Sequence, residues 1–115
     1  MTDNNKGVPS IAQTRIDELR ALLGDDVKLL IDEFFSVSDP EIEQLGKAIK
    51  EENTESIYKL CHSLKSSSGN LGFLRLHEQC KQLELQARTN QAIDADKQFT
   101  SIMTEYESLK EQLSS

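Results

Sequence analysis

At 115 residues the chain has room for one domain of ordinary size and not for two. Thirteen basic residues against twenty acidic ones leave a net charge of -7. That balance excludes a general phosphate-backbone binder, which must bring a field of Lys and Arg to nucleic acid. No apolar stretch approaches the roughly 20 residues needed to span a bilayer, and the opening MTDNNKGVPS lacks the apolar core of a signal peptide. Neither nucleic acid nor membrane is therefore an expected partner, and the expected location is the cytoplasm. Two Pro, five Gly and few β-branched runs point to helices.

Residues 1–9 are polar and aperiodic and read as a mobile tail, with a helical domain over 10–115. Ser10 is the expected N-cap of a first helix whose stripe is Ala12, Ile16, Leu19 and Leu23, stopped by Gly24. Asp25 or Asp26 caps the second, with Val27, Leu30, Ile31 and Phe34 on its apolar face. Ser38-Asp39-Pro40-Glu41 has the form of a capping box that opens a new helix. Yet Phe34, Ser38, Ile42, Leu45 and Ile49 keep one helical phase across the proline, which favours a single long helix kinked near Pro40. Thr54 is the expected cap of the third helix, striped by Ile57, Leu60, Cys61, Leu64, Ser68 and Leu71 and ended by Gly69, Asn70 and Gly72. Phe73, Leu76, Cys80, Leu83 and Ala87 carry the fourth, and Phe99, Ile102, Tyr106, Leu109 and Leu113 the last. Short connections make successive helices antiparallel neighbours. The expected fold is all-α: an antiparallel four-helix bundle with an additional short N-terminal helix, present as a monomer.

No G-x-x-x-x-G-K-[ST] loop, G-x-G-x-x-G, H-x-x-x-H or C-x-x-C occurs. Cys61, His77 and Cys80 are the loose candidates for a metal cluster. Both cysteines lie on apolar stripes and read as reduced, buried thiols, and no metal is expected. The third helix is the informative one. At about 100° per residue, its core stripe leaves His62 on the outer face with Glu55, Tyr58, Lys59, Lys65, Ser66 and Gly69. A neutral imidazole on a rigid helix is a nucleophile near pH 7. An ammonium one turn away can stabilise an attached phosphoryl group, and small residues beyond it admit another protein's backbone.

Residues 62–72 read His-Ser-Leu-Lys-Ser-Ser-Ser-Gly-Asn-Leu-Gly. This run resembles the phosphoacceptor motif of histidine-containing phosphotransfer (HPt) domains, His-x-Leu-Lys-Gly-Ser-Ser followed by a small residue. Cys80, Leu83-Glu84 and Arg88 resemble that family's next helix, and Phe34, Leu45, Ala48 and Ile49 its long second helix. The resemblance covers most of residues 11–113.

The resemblance implies that His62 accepts and donates a phosphoryl group through its solvent-facing ring nitrogen, with Lys65 neutralising it. The Glu84 position often holds a Gln that orients the imidazole, and a carboxylate can do the same by accepting the other ring N–H, fixing the tautomer. Arg88 matches a basic position near the phosphate; an ordinary i,i+4 ion pair with Glu84 is the competing reading. Tyr58, Lys59, Ser66, Gly69 and Gly72 are the expected partner contacts, Lys59 and Lys65 opposing an acidic pocket. The family usually has Gly where Ser66 stands.

The implied function is a phosphocarrier, neither kinase nor hydrolase, relaying phosphate between receiver-domain aspartates of hybrid sensor kinases and response regulators. It needs no cofactor of its own, Mg²⁺ being expected only in the partner receiver. The alternative, suggested by Ser66, is a helical adaptor that binds a receiver domain or other partner without phosphoryl transfer. A metal- or redox-responsive bundle built on Cys61, His77 and Cys80 is the third reading.

Overall fold

A computed structural model describes residues 7–90 and 94–113. Five helices occur among them: α1 (Gln13–Leu23), α2 (Asp26–Lys50), α3 (Thr54–Asn70), α4 (Leu74–Arg88) and α5 (Ala95–Leu113). No strand interrupts the described residues. Helix α3 packs on α2 and α4, α5 packs on α2 and α4, and α1 lies against α2. The contacts of α2 to α5 thus close into a ring around one core. At its centre Leu45, Cys61, Leu64, Phe73, Leu76, Cys80, Leu83, Ile102 and Leu109 are fully buried, and every one lies on the stripe its helix was expected to bury or beside it. An aromatic cluster joins α2, α4 and α5. Phe34 meets Phe73 edge-on at 5.1 Å, and Phe35 meets Tyr106 at 5.6 Å.

Helix α2 runs unbroken through Pro40. Proline removes the N–H that the Ser36 carbonyl would accept four residues earlier. Burial offsets that loss, since Phe34, Ser38, Ile42, Leu45 and Ile49 all face the core on one phase. From α5, Tyr106 Oη donates to the Phe35 carbonyl at 3.3 Å and to Asp39 Oδ1 at 2.5 Å, while Lys110 Nζ meets both Asp39 oxygens at 2.8 and 2.9 Å. Partial burial raises the Asp39 carboxyl, but the bonds from Lys110 and Tyr106 prevail and leave it below the ordinary range. Ser38 and Glu41 open no new helix. Ser38 is buried, and Glu41 accepts a bond from Ser63 of α3.

Three helix starts differ in detail from the sequence expectation. Helix α1 begins at Gln13, not at Ser10, and Ala12 occupies the cap position without a side-chain bond. The Ser10 hydroxyl donates instead to Glu105 of α5, and the Ala12 N–H donates to the Gly72 carbonyl at 2.7 Å. Asp25 stands at the cap position of α2 but makes no capping bond. Helix α3 is capped by Asn53, whose side chain accepts from the Ser56 N–H at 3.1 Å, rather than by Thr54. The expected tail falls partly outside the described residues; within them, the Val8 carbonyl accepts from Arg75 Nε of α4 at 2.9 Å.

Gly72 makes the turn between α3 and α4 at φ +82°, and a Cβ there would lie 2.8 Å from Arg15 Cβ. Both facts demand glycine. Gly72→Ala is expected to destabilise the fold by about 1–3 kcal/mol through left-handed strain and displacement of α1. Urea unfolding measures it, and an unchanged midpoint would contradict this reading of the turn.

Candidate functional site

His62 stands in the middle of α3 with its side chain 58% exposed. The neighbours that hold it there come from two helices. One turn before it on α3, the Tyr58 ring lies 6.1 Å away, centroid to centroid. From α4, the side chain of Glu84 is only 6% exposed and places Oε2 at 2.8 Å from His62 Nδ1. Its other oxygen, Oε1, lies 2.6 Å from Lys65 Nζ. One carboxylate therefore bridges the imidazole and the ammonium.

The charge state of that carboxylate decides what the imidazole can do. Burial pushes Glu84 up, yet the hydrogen bonds from Lys65 and His62, together with the positive charge of the lysine, outweigh it and hold the carboxyl below the ordinary glutamate range. An ionised carboxylate only accepts. His62 Nδ1 must therefore carry the proton, and in the neutral ring the lone pair then sits on Nε2. The nitrogen left with its lone pair is the one that Glu84 does not hold.

Arg88 does not pair with Glu84. Its guanidinium carbon lies 5.8 Å from the Tyr58 ring centroid, so Arg88, Tyr58 and His62 form a row across α4 and α3. The i,i+4 alternative loses to Lys65, which reaches Glu84 from the neighbouring helix. Lys59 and Ser66 are exposed, and Lys59 makes an i,i+4 ion pair with Glu55 at 3.0 Å.

Of the two glycines expected on the partner face, one is buried and the other half-buried. Gly72 is buried beneath α1. Gly69 makes room for His77, since a Cβ there would fall 2.8 Å from His77 Nδ1. That nitrogen donates to the Lys65 carbonyl at 2.9 Å. His77 is the residue grouped with Cys61 and Cys80 as a loose metal candidate in the sequence. Both cysteines are free and buried. Burial pushes the Cys61 thiol up to about 12 and Cys80 well above its usual value, so both are inert. Among the described residues no group of three or more His, Cys, Asp or Glu side chains converges on a point where a metal ion would sit. Sequence reasoning also missed the hydrogen bond from Ser63 to Glu41, 2.6 Å long, which ties α3 to α2 next to His62.

The family model described as Hpt domain matches residues 29–114. The chain belongs to the Hpt domain family. A relative, the phosphorelay protein LuxU of Vibrio harveyi, is 34% identical over 80 residues, covering 69% of this chain and 70% of that protein. The crystal structure of histidine-containing phosphotransfer protein B (HptB) from Pseudomonas aeruginosa PAO1 superposes with a TM-score of 0.87 over 93% of each chain, at 22% identity. It shares the fold of this chain. No helix of the described residues is long and apolar enough to cross a membrane.

The Glu84 bridge has a pH signature. A carboxyl held low in the folded state adds stability that is fully present above its unfolded value, near the ordinary 4.5. That increment is lost as pH falls through the lower folded value. Glu84→Gln removes the group that titrates. Its unfolding free energy is expected to fall less steeply than wild type on acidification below that point, measured by denaturant unfolding across the acid range. Identical acid limbs would show that the bridge contributes nothing.

Proposed function

We propose that this Hpt-domain protein is a phosphocarrier in a multistep phosphorelay, taking a phosphoryl group from the aspartate of one receiver domain and passing it to the aspartate of another. The scaffold is read as an antiparallel four-helix bundle of α2 to α5, with α1 as the additional helix. His62 is the acceptor. The observation that carries this reading is the Glu84 bridge, which leaves Nε2 of an exposed imidazole as the free nucleophile beside a lysine.

Phosphoryl transfer asks mainly for positioning and charge stabilisation of an in-line transition state. In the forward step the Nε2 lone pair forms the N–P bond. The O–P bond of the incoming acyl phosphate breaks, and its electron pair returns to the donor carboxylate. The Nδ1 proton stays in place, held by Glu84. Lys65, already poised on the Glu84 carboxylate, lies one turn from the acceptor and is the cation available to the arriving phosphoryl oxygens. Arg88 stands further out, over Tyr58, where it meets the partner's edge. The receiver supplies its own aspartate and Mg²⁺, so this chain needs neither nucleotide nor metal.

A protein partner, rather than a small substrate, also suits the surroundings. His62 projects from a helix face rather than from the floor of a cleft. Next to it on α3, Ser63 and Ser67 border a groove of about 460 Å³ whose apolar lining includes Leu30, Phe34 and Val37. Val37 is an exposed hydrophobic side chain, suited to burial under a docked domain.

Incubation with a phosphorylated receiver domain is expected to place acid-labile, base-stable label on the chain, and His62→Gln is expected to abolish it. Label that survives the substitution removes His62 as acceptor. A receiver that binds tightly yet never transfers would favour an adaptor that carries no phosphate.

A further inference from the structure

We propose that His77 is a positioning residue for phosphoryl transfer, acting on Lys65 from the neighbouring helix; this rests on the phosphocarrier reading above. Lys65 is held from α4 at both ends. Glu84 takes its ammonium at 2.6 Å, and His77 Nδ1 takes its main-chain carbonyl at 2.9 Å. The two α4 residues are seven apart, two turns along one face. Together they set the register of α4 against α3, and with it the distance from Glu84 to His62.

The need for such a pin lies in the α3 sequence. Downstream of Lys65 the helix runs Ser66-Ser67-Ser68-Gly69, residues of weak helix propensity. The hydroxyls of Ser67 and Ser68 turn back on the helix. Ser67 donates to the Ser63 carbonyl at 3.1 Å, and Ser68 donates to the Leu64 and Lys65 carbonyls at 2.6 and 3.1 Å. Back-bonding of this kind loosens and bends helices. The His77 bond arrives from outside the helix at the carbonyl of the residue whose side chain faces the acceptor. Gly69 makes the approach possible, because any Cβ there would stand 2.8 Å from the donating nitrogen. Since a carbonyl only accepts, His77 must present Nδ1–H. Its role is that of a fixed donor and needs no change of charge.

Transfer from a phosphorylated receiver domain is timed in wild type, His77→Leu, His77→Asn and Gly69→Ala. The ring nitrogens of His62 are followed by nitrogen NMR in the same proteins without phosphate. Asparagine carries an amide N–H close to where the imidazole carries Nδ1, so His77→Asn is expected to keep wild-type rate and wild-type His62 signals. His77→Leu removes the donor, and Gly69→Ala displaces the ring. Each is expected to slow transfer about tenfold through misplacement of Lys65 and to weaken the Nδ1–H signature of His62. Should His77→Leu fail to fold, the other two variants decide. Wild-type rate and signals in Gly69→Ala overturn the proposal, as does a His77→Asn protein as slow as Gly69→Ala. A wild-type chain that takes up no phosphate would sink the phosphocarrier reading alone, and the His62 spectra would still decide whether His77 sets the register.

Discussion

A single buried carboxylate, Glu84, organises this surface. It has two oxygens and spends both: one on the imidazole that protrudes into solvent, one on the ammonium beside it. Burying an anion is unfavourable unless it is paired. Here the pairing is also what gives the site direction. The imidazole loses the freedom to exchange tautomers, and the lysine loses the freedom to sample solvent. The imidazole stays 58% exposed, with the lysine 24% exposed beside it.

The bundle keeps that bridge at bonding distance. Glu84 and its partners sit on different helices, so their separation is set by the α3–α4 interface. Beneath the bridge that interface is solid hydrocarbon and sulfur: Cys61, Leu64, Cys80 and Leu83 are fully buried. At its far end the Gly72 turn is clamped by α1, with Arg15 Nε donating to the Asn70 carbonyl at 2.9 Å. The helix that stands outside the ring therefore still bears on the site, through the connection between α3 and α4. On the opposite side, Tyr106 and Lys110 secure α2 where Pro40 weakens it. A residue with little reach of its own, an imidazole, gains accuracy from a frame that extends well beyond it.

Much of this is legible in the sequence. The 3.6-residue phase of α3 put His62 outside and Cys61 and Leu64 inside, and phase continuity carried α2 through Pro40 against a local capping signal. Local rules failed where a distant partner outbid them. Ser10 looked like a cap, but its hydroxyl found Glu105, far along the chain on α5. Glu84 and Arg88 had the spacing of a helix-surface pair, but Lys65 lay nearer to Glu84 across the interface, and Arg88 settled on Tyr58. Gly69 and Gly72 were recognised as small, while the reason for their smallness, His77 and Arg15 pressed against them, is tertiary. The helical spacing does put His77 on one face of α4 with Glu84, two turns apart.

The chemistry of His62 turns on which ring nitrogen is left free. Nitrogen and phosphorus NMR of the phosphorylated chain reads this directly, through the coupling between phosphorus and the ring nitrogen it is bonded to. Glu84 holding the Nδ1 proton requires the phosphoryl group on Nε2 of His62. A phosphoryl group found on Nδ1 would mean that the Glu84 bridge does not govern the acceptor.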